Sequence, residues 1–163
     1  ADPADELPAI AYWLMGSLTI VGPGAMAAVA PLIIIGIIVM CFCGRKLNLL
    51  SMGDDEARTM GVNPRLIRTV VIIAATMTCV GAVSISGIIA WIGLLTPHIG
   101  RMLIGPDNRF LIPLSAVAGA LLLLLADNLS RLLLPVELPL GITTSLLGIP
   151  FFAFCLKRAK MKW

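Results

Sequence analysis

Residues 69–97, TVVIIAATMTCVGAVSISGIIAWIGLLTP, form an uncharged run that decides which fold the chain is predicted to adopt. A membrane-spanning helix needs about 20 predominantly apolar residues. The run is too long for one ordinary span and too short for two. The charges on either side of it therefore have to determine how the chain crosses a membrane at this point.

The whole chain has the composition of a membrane protein. It has 163 residues, of which 59% are hydrophobic and 13% charged, and its mean hydropathy is +1.01. A soluble domain is about half apolar and about a quarter charged. The first residues are acidic and lack the basic region of a secretory signal. Because the chain begins with Ala1, we interpret it as processed or truncated.

Basic residues mark one side of the membrane. All but one of the 12 lie in three segments outside the apolar runs. Positively charged loops stay in the cytoplasm, so the segments before and after 69–97 are predicted on the same side, and the chain must leave and return within this run. The three groups are Arg45, Lys46, Arg58, Arg65 and Arg68; Arg101 and Arg109; and Lys157, Arg158, Lys160 and Lys162.

One full helix and one short half-helix fit such a run. We place the break at SISG, residues 84–87. Irregular backbone at that depth is tolerated only where protein buries it or where it lines a water-filled path, so a break indicates a transport route; a single long, tilted helix is the alternative. The predicted fold is all-α and polytopic, with an outer segment at 1–23, about four full spans at 24–43, 65–84, 110–134 and 138–156, and a half-helix at 90–104.

The polar stretch LNLLSMGDDEARTMGV, residues 47–62, interrupts the apolar pattern. Asp54 is predicted to cap a short helix, with Asp55 and Glu56 at its positive end. Gly61 is a suitable residue to end that helix, and Asn63-Pro64 reads as the start of the next one. Such a short helix needs a surface to pack against. The stretch is either a docking surface for a soluble partner or a solvated connector.

Asp127 and Arg131 lie four residues apart on one predicted helix, in the order that favours an ion pair. Ionisable residues inside a membrane often mark function. This pair lies near the outer end of its span, so we favour a structural ion pair over a substrate site. Glu137, in the predicted outer turn, is a competing partner for Arg131.

No motif indicates enzyme chemistry. The four cysteines lie in apolar runs, without a nearby histidine or second cysteine pair to complete a metal site. There is no G-x-x-x-x-G-K-[ST] motif for binding a nucleotide. His98, the only histidine, has no carboxylate partner in its span for a proton relay. We predict no catalytic residue, no metal site and no cofactor.

Four segments occur in an order and spacing that point to one family. They closely resemble the permease subunits of type II ABC importers, the FecCD family, which carries iron-siderophores, haem and vitamin B12. The segments are LNLLSMGDDEARTMGV (47–62), SGIIAWIGLLTPHIGRMLIGPDNRFLIP (86–113), LLLLADNLSRLL (122–133) and ELPLGITTSLLGIPFFAFCL (137–156).

The resemblance implies that the chain is the C-terminal half, helices six to ten, of a ten-helix permease. It also implies that residues 47–62, hereafter the coupling element, dock on an ATPase subunit. The expected coupling residues are Leu50, Met52, Gly53, Asp54, Asp55, Glu56, Arg58 and Gly61. The expected hinge residues of the half-helix and pathway are Ser84, Ser86, Gly87, Trp91 and Pro97.

The implied protein is a transport subunit, with ATP hydrolysis carried out by a separate ATPase. Two permeases would pair in the plasma membrane of a prokaryote, in contact with lipid, with ATPases inside and a substrate-binding protein outside; no nucleic-acid partner is expected. Ferric siderophore is the favoured substrate, ahead of haem, cobalamin and oxyanions. The alternatives are a fragment of an ion-coupled secondary transporter or channel, and a purely structural membrane subunit.

Overall fold

The computed structural model describes residues 3–18, 21–133 and 139–160, and these residues form seven α-helices with no strand among them. The all-helical prediction is confirmed for this part of the chain. The helices are α1 (Pro3–Leu14), α2 (Pro23–Leu50), α3 (Asp54–Thr59), α4 (Pro64–Ser86), α5 (Ile92–Ile104), α6 (Asn108–Leu133) and α7 (Leu140–Lys160).

Within the described residues, three helices are long and apolar enough to cross a membrane, namely α2, α4 and α6. The segment Leu140–Ala153 of α7 is a shorter apolar helix. It overlaps the span predicted at 138–156, whose first residue lies outside the described residues, as does Glu137. Helix α5 has 13 residues and is therefore about 20 Å long, which is shorter than a hydrocarbon core of about 30 Å.

Helices α2 and α4 pack side by side in opposite directions. A Cβ atom at Gly36 of α2 would collide with the hydroxyl of Thr78 on α4 and lie 2.9 Å from the carbonyl oxygen of Ala74. Nearer the other end of the pair, Gly81 of α4 faces Val29 of α2. Small residues thus allow the close approach that stabilises helix pairs in membranes.

The loop 105–107 joins α5 to α6, and the two helices pack against each other in opposite directions. A Cβ atom at Gly119 of α6 would meet the methyl group of Thr96 on α5 at an ordinary 3.6 Å. Where α6 begins, a Cβ atom at Gly44 of α2 would lie 3.1 Å from the carbonyl oxygen of Asn108. The C-terminal end of α2 and the α5–α6 loop therefore lie at the same end of the bundle.

The polar loop is shorter than the charge pattern suggested. Helix α2 continues to Leu50, because the N–H and the hydroxyl of Ser51 both donate to the carbonyl oxygen of Leu47, at 3.1 and 3.0 Å, and close its last turn. Two basic residues assigned to the loop lie in α2 instead, and two others lie in α4, as the span predicted at 65–84 implies. They are Arg45 and Lys46 in α2, and Arg65 and Arg68 in α4.

We expect Asp55→Cys and Pro106→Cys, introduced singly into a cysteine-free full-length permease, to resist a membrane-impermeant thiol reagent in intact cells. Both positions lie at the predicted cytoplasmic end, so they should react only after permeabilisation. Gly24→Cys is the control at the opposite end of α2, where an added side chain meets no atom within 4 Å, and it should react in intact cells. External labelling of only one of the two loops would show that residues 69–97 cross the membrane once.

Candidate functional site

The coupling element contains one short helix, α3, whose two ends are built by glycines. Gly53, with φ +134°, occupies the position before the helix, so it is the N-cap and the prediction that Asp54 caps the helix is wrong. Asp54 is instead the first helical residue, where its charge suits the positive end of the helix dipole. At the other end Gly61 has φ +79°, a conformation in which glycine carries no steric cost.

The C-terminal end of α3 closes with a Schellman motif. The N–H of Gly61 donates to the carbonyl oxygen of Arg58 at 2.9 Å, and the N–H of Val62 donates to that of Ala57 at 2.9 Å. Asn63 then caps α4, because its side chain accepts a hydrogen bond from the N–H of Leu66. The chain therefore turns from α3 into α4 through a defined backbone path.

Helix α3 is held against its neighbours by one buried residue and one ion pair. Ala57 is 0% exposed, and α3 packs on both α2 and α4. Arg68 of α4 forms a bidentate pair with Asp54, with N–O distances of 3.0 and 2.6 Å. The sequence analysis did not identify this pair, which joins residues 14 positions apart. A six-residue helix thus acquires a fixed position.

The opposite face of the coupling element is open. The side chain of Asp55 is 94% exposed and lies 3.9 Å from Arg58. Met52 and Met60 are exposed beside these charges. A cavity of about 580 Å³ opens next to them, lined by Arg58, Gly61, Val62, Asn63, Pro64 and Arg65. Exposed methionines beside charges form a surface of mixed chemistry at the end of the bundle where the α5–α6 loop also lies.

The interruption after α4 begins at Gly87, at the end of the predicted range 84–87. Ser84 and Ser86 are still helical, and their hydroxyls are satisfied by donating to carbonyl oxygens one turn earlier, each at 2.8 Å. Gly87 has φ +68° and ψ −160°, a backbone region that is essentially restricted to glycine. The regular helix resumes at Ile92, so residues 87–91 separate α4 from α5.

Three chain segments meet at this interruption: residues 13–17, 86–88 and 140–141. We call them the outer junction, after the side of the membrane on which the charge pattern predicts them. The N–H of Ser17 donates to the carbonyl oxygen of Ser86 at 3.0 Å. In the same segment, the carbonyl oxygens of Met15 and Gly16 accept from the first two N–H groups of α7, at 3.0 and 2.9 Å. Main-chain hydrogen bonds thus tie the interruption to α7.

Glycines make this junction possible. A Cβ atom at Gly87 would collide with the carbonyl oxygen of Trp13. A Cβ atom at Gly16 would lie 2.8 Å from the carbonyl oxygen of Ile88, and one at Gly141 would lie 2.5 Å from that of Met15. Because these collisions are with backbone atoms, no change of rotamer relieves them.

Trp91 starts α5 in a strained conformation. With φ +71° it is the one non-glycine residue at positive φ within the described parts of the chain, and such outliers in bulky residues often accompany functional sites. Its side chain packs against Gly148 of α7, and its ring lies 6.0 Å from that of Phe152. These contacts fix the outer end of α5 on α7. The sequence analysis singled out Trp91 but did not predict its backbone conformation.

Two cavities border helix α5. One, of about 410 Å³, opens toward α2, α4 and α6, and its lining includes Thr96, Pro97 and Arg101. The other, of about 390 Å³, is mainly apolar and lies beside Gly87. The hydroxyl of Ser115, on the lining of the first cavity, is buried without a hydrogen-bond partner among the described residues. Helix α5 therefore borders open space at two places along its length, while Thr96 and Gly100 in its middle are buried against α6.

Asn48 and Asp107 form a contact between α2 and the α5–α6 loop that the sequence analysis did not identify. The amide Nδ2 of Asn48 donates to Oδ1 of Asp107 at 2.6 Å. The N–H of Arg109 also donates to this carboxylate, at 3.0 Å. The backbone N–H of Arg109, followed by the Asn48 amide, lowers the pKa of Asp107 below its ordinary value, so the acceptor is a carboxylate at neutral pH.

The remaining predicted polar pair lies within α6. Arg131 Nε is 3.0 Å from Asp127 Oδ2, and Arg131 Nη2 is 3.3 Å from Asp127 Oδ1. The described residues contain no group of three or more histidine, cysteine or acidic side chains that could hold a metal ion. Asp127 and Arg131 thus bond to each other within one helix.

The fold and these sites define a helical membrane protein with an interrupted segment and a short helix displayed at one end. Residues 2–158 match the FecCD transport family, and the chain belongs to that family. It is 43% identical over 155 residues to the uncharacterized ABC transporter permease protein YvrB of Bacillus subtilis, covering 94% of this chain and 44% of that protein. It is 40% identical to the hemin transport system permease protein HmuU of Yersinia pestis, covering 95% of this chain and 47% of that protein.

The same similarity is seen in three dimensions. A solved structure described as an inward-facing conformation of a metal-chelate type ABC transporter superposes with a TM-score of 0.91 at 34% sequence identity. The match covers 97% of this chain and 51% of that chain. The chain thus spans about half the length of the relatives that it matches.

Proposed function

We propose that this chain forms the C-terminal half of the membrane-spanning permease of an ATP-driven importer, and that a separate ATPase docks on its coupling element. The observation that carries the proposal is the geometry of α3. One face is anchored through Ala57 and the Asp54–Arg68 pair, while the other presents Asp55 and Met60 to solvent. A short helix that is fixed on one side and open on the other suits the transmission of force from a soluble partner.

The proposed cargo is a metal chelate, with a ferric siderophore favoured over haem or cobalamin. The relative from Yersinia is named for hemin and the solved structure for a metal chelate, which supports the class of cargo. The chain itself would do no chemistry on that cargo. A second permease copy, the ATPases and an extracytoplasmic binding protein would complete the importer in a prokaryotic plasma membrane.

Helix α5 is the proposed moving part of the pathway. It is held at its outer end by the outer junction and Trp91 and at its inner end by the 105–107 loop, and two cavities border it between these ends. Pro97 also lacks the N–H that would bond one turn back, which loosens the middle of the helix. Movement of α3 on ATP binding would then tilt or shift α5.

The test is uptake into proteoliposomes that contain the full-length permease, its ATPase and its binding protein. Uptake of radiolabelled ferric siderophore should require ATP inside the vesicles and should persist when a protonophore collapses ion gradients. Excess unlabelled hemin or cobalamin is then added, and a decrease in uptake of the labelled siderophore shows which of the two competes for transport. Uptake that follows the proton or sodium gradient and ignores ATP would contradict the proposal and favour an ion-coupled transporter.

A further inference from the structure

The side chain of Asn48, in the last turn of α2, uses both ends of its amide across the gap to the α5–α6 loop. Its Nδ2 donates to Oδ1 of Asp107 at 2.6 Å. Its Oδ1 accepts from the backbone N–H of Asn108 at 2.9 Å. We call these two hydrogen bonds the inner clamp. An amide can donate and accept at once, whereas a carboxylate can only accept and an aliphatic side chain can do neither.

The loop side of the clamp is rigid. The carboxylate of Asp107 also accepts from the backbone N–H of Arg109 and pairs with its guanidinium, at 3.0 and 3.3 Å. One turn before Asn48, a Cβ atom at Gly44 would lie 3.1 to 3.2 Å from backbone atoms of Asn108 and Arg109. Backbone contact and side-chain hydrogen bonds thus join α2 to this loop at the same place.

The clamp lies between the two parts that the proposed function needs to connect. Asn48 precedes Gly53, the N-cap of α3, by five positions, with the last turn of α2 between them. Asp107 follows Gly105, the C-cap of α5, by two positions. A displacement of α3 can therefore reach α5 through three neighbouring parts: the last turn of α2, the inner clamp and the α5–α6 loop.

We propose that Asn48 and Asp107 are positioning residues that transmit movement of α3 to α5; this inference rests on the proposed function, in which the ATPase meets α3 and its exposed face, whereas Asn48 lies in the last turn of α2. They touch neither cargo nor nucleotide in this account. Breaking the clamp should leave α3 and its exposed face in place, so the ATPase should still bind and hydrolyse ATP. What is lost is the coupling of hydrolysis to movement of α5.

The experiment exchanges the two residues. Asn48→Asp places two carboxylates face to face, and Asp107→Asn removes the charge that Arg109 pairs with. In the double variant, the carboxylate at position 48 can accept from the N–H of Asn108 and from the amide at position 107. The side-chain hydrogen bond between positions 48 and 107 is then restored with donor and acceptor reversed, and the bond from the Asn108 N–H is kept in its original direction.

In full-length permease reconstituted with its ATPase and binding protein, we expect Asn48→Asp to lower ATP-driven uptake of ferric siderophore by about tenfold or more, the factor expected for a hydrogen bond lost to a charged group. ATPase co-purification and basal hydrolysis should stay at the wild-type level, and the double variant should recover most of the uptake.

Three results would overturn the inference. Normal uptake by Asn48→Asp would show that the clamp transmits nothing, and a double variant as inactive as the single one would show that the hydrogen bonds are not the cause. Loss of ATPase co-purification by Asn48→Asp would assign the residue a structural role. If the wild-type complex shows no ATP-driven uptake, the proposed function itself fails and the clamp proposal falls with it.

Discussion

Gly87→Ala is expected to abolish uptake by the full-length permease, although it adds a single methyl group. The backbone of Gly87 lies at φ +68° and ψ −160°, which costs a residue with a side chain about 1–3 kcal/mol. The added Cβ would also collide with the carbonyl oxygen of Trp13. Because that oxygen belongs to the backbone of the outer junction, relief requires movement of the junction and therefore of the outer end of α5.

Two alanine substitutions separate the causes of this effect. Gly105 has almost the same backbone angles, φ +82° and ψ −167°, but no atom lies within 4 Å of an added Cβ. Gly105→Ala therefore measures the strain alone and should lower uptake only partly. Gly119→Ala meets its nearest atom at 3.6 Å and should transport normally. Wild-type uptake by Gly87→Ala at normal expression would contradict the role given to the outer junction.

Ala57→Glu is expected to eliminate ATPase binding and uptake together while leaving membrane insertion intact. Ala57 is 0% exposed and faces the helices on which α3 packs, so a carboxylate there would be buried without a partner. Burying an unpaired charge costs several kcal/mol. A six-residue helix has too little stability of its own to offset that free energy. We therefore expect α3 to lose its packing on α2 and α4.

The matched control is Ala57→Ser. Its hydroxyl is small and can donate to the carbonyl oxygen of Gly53 one turn earlier, as serines in helices commonly do. We expect the serine variant to retain most uptake and to co-purify with the ATPase. If Ala57→Glu co-purifies and transports like the wild type, α3 is not the element that couples the two subunits.

The helix pattern was largely predictable because charge and hydropathy act locally along the chain. The basic residues Arg68 and Arg101, on either side of 69–97, predicted that two helices rather than one fill that run, as α4 and α5 do. Gly87 was the residue able to end α4 there. By contrast, the extension of α2 to Leu50 was missed, because basic residues in the last turns of a long helix look like a loop when charge is the main criterion.

The contacts that assemble the sites could not be predicted in the same way. Asn48 and Asp107 are 59 positions apart, and their meeting depends on how α2 and α6 are rotated and packed. The pair Asp54–Arg68 also depends on helix packing, because it forms only when α3 lies against α4. The positive φ of Trp91 could not be predicted either, because local preference disfavours it, and the ring contacts with α7 that accompany it are long-range.

The most direct test of the central claim is cross-linking between α3 and the ATPase. Asp55→Cys, whose side chain is directed into solvent, is placed in a cysteine-free full-length permease together with single cysteines on the ATPase, and a short bifunctional thiol reagent is added to membranes. The account predicts a permease–ATPase product whose yield changes on ATP binding, and no such product from Gly24→Cys at the opposite end of α2. Absence of the product at Asp55→Cys, in a complex that still transports, would contradict the assignment of the coupling element.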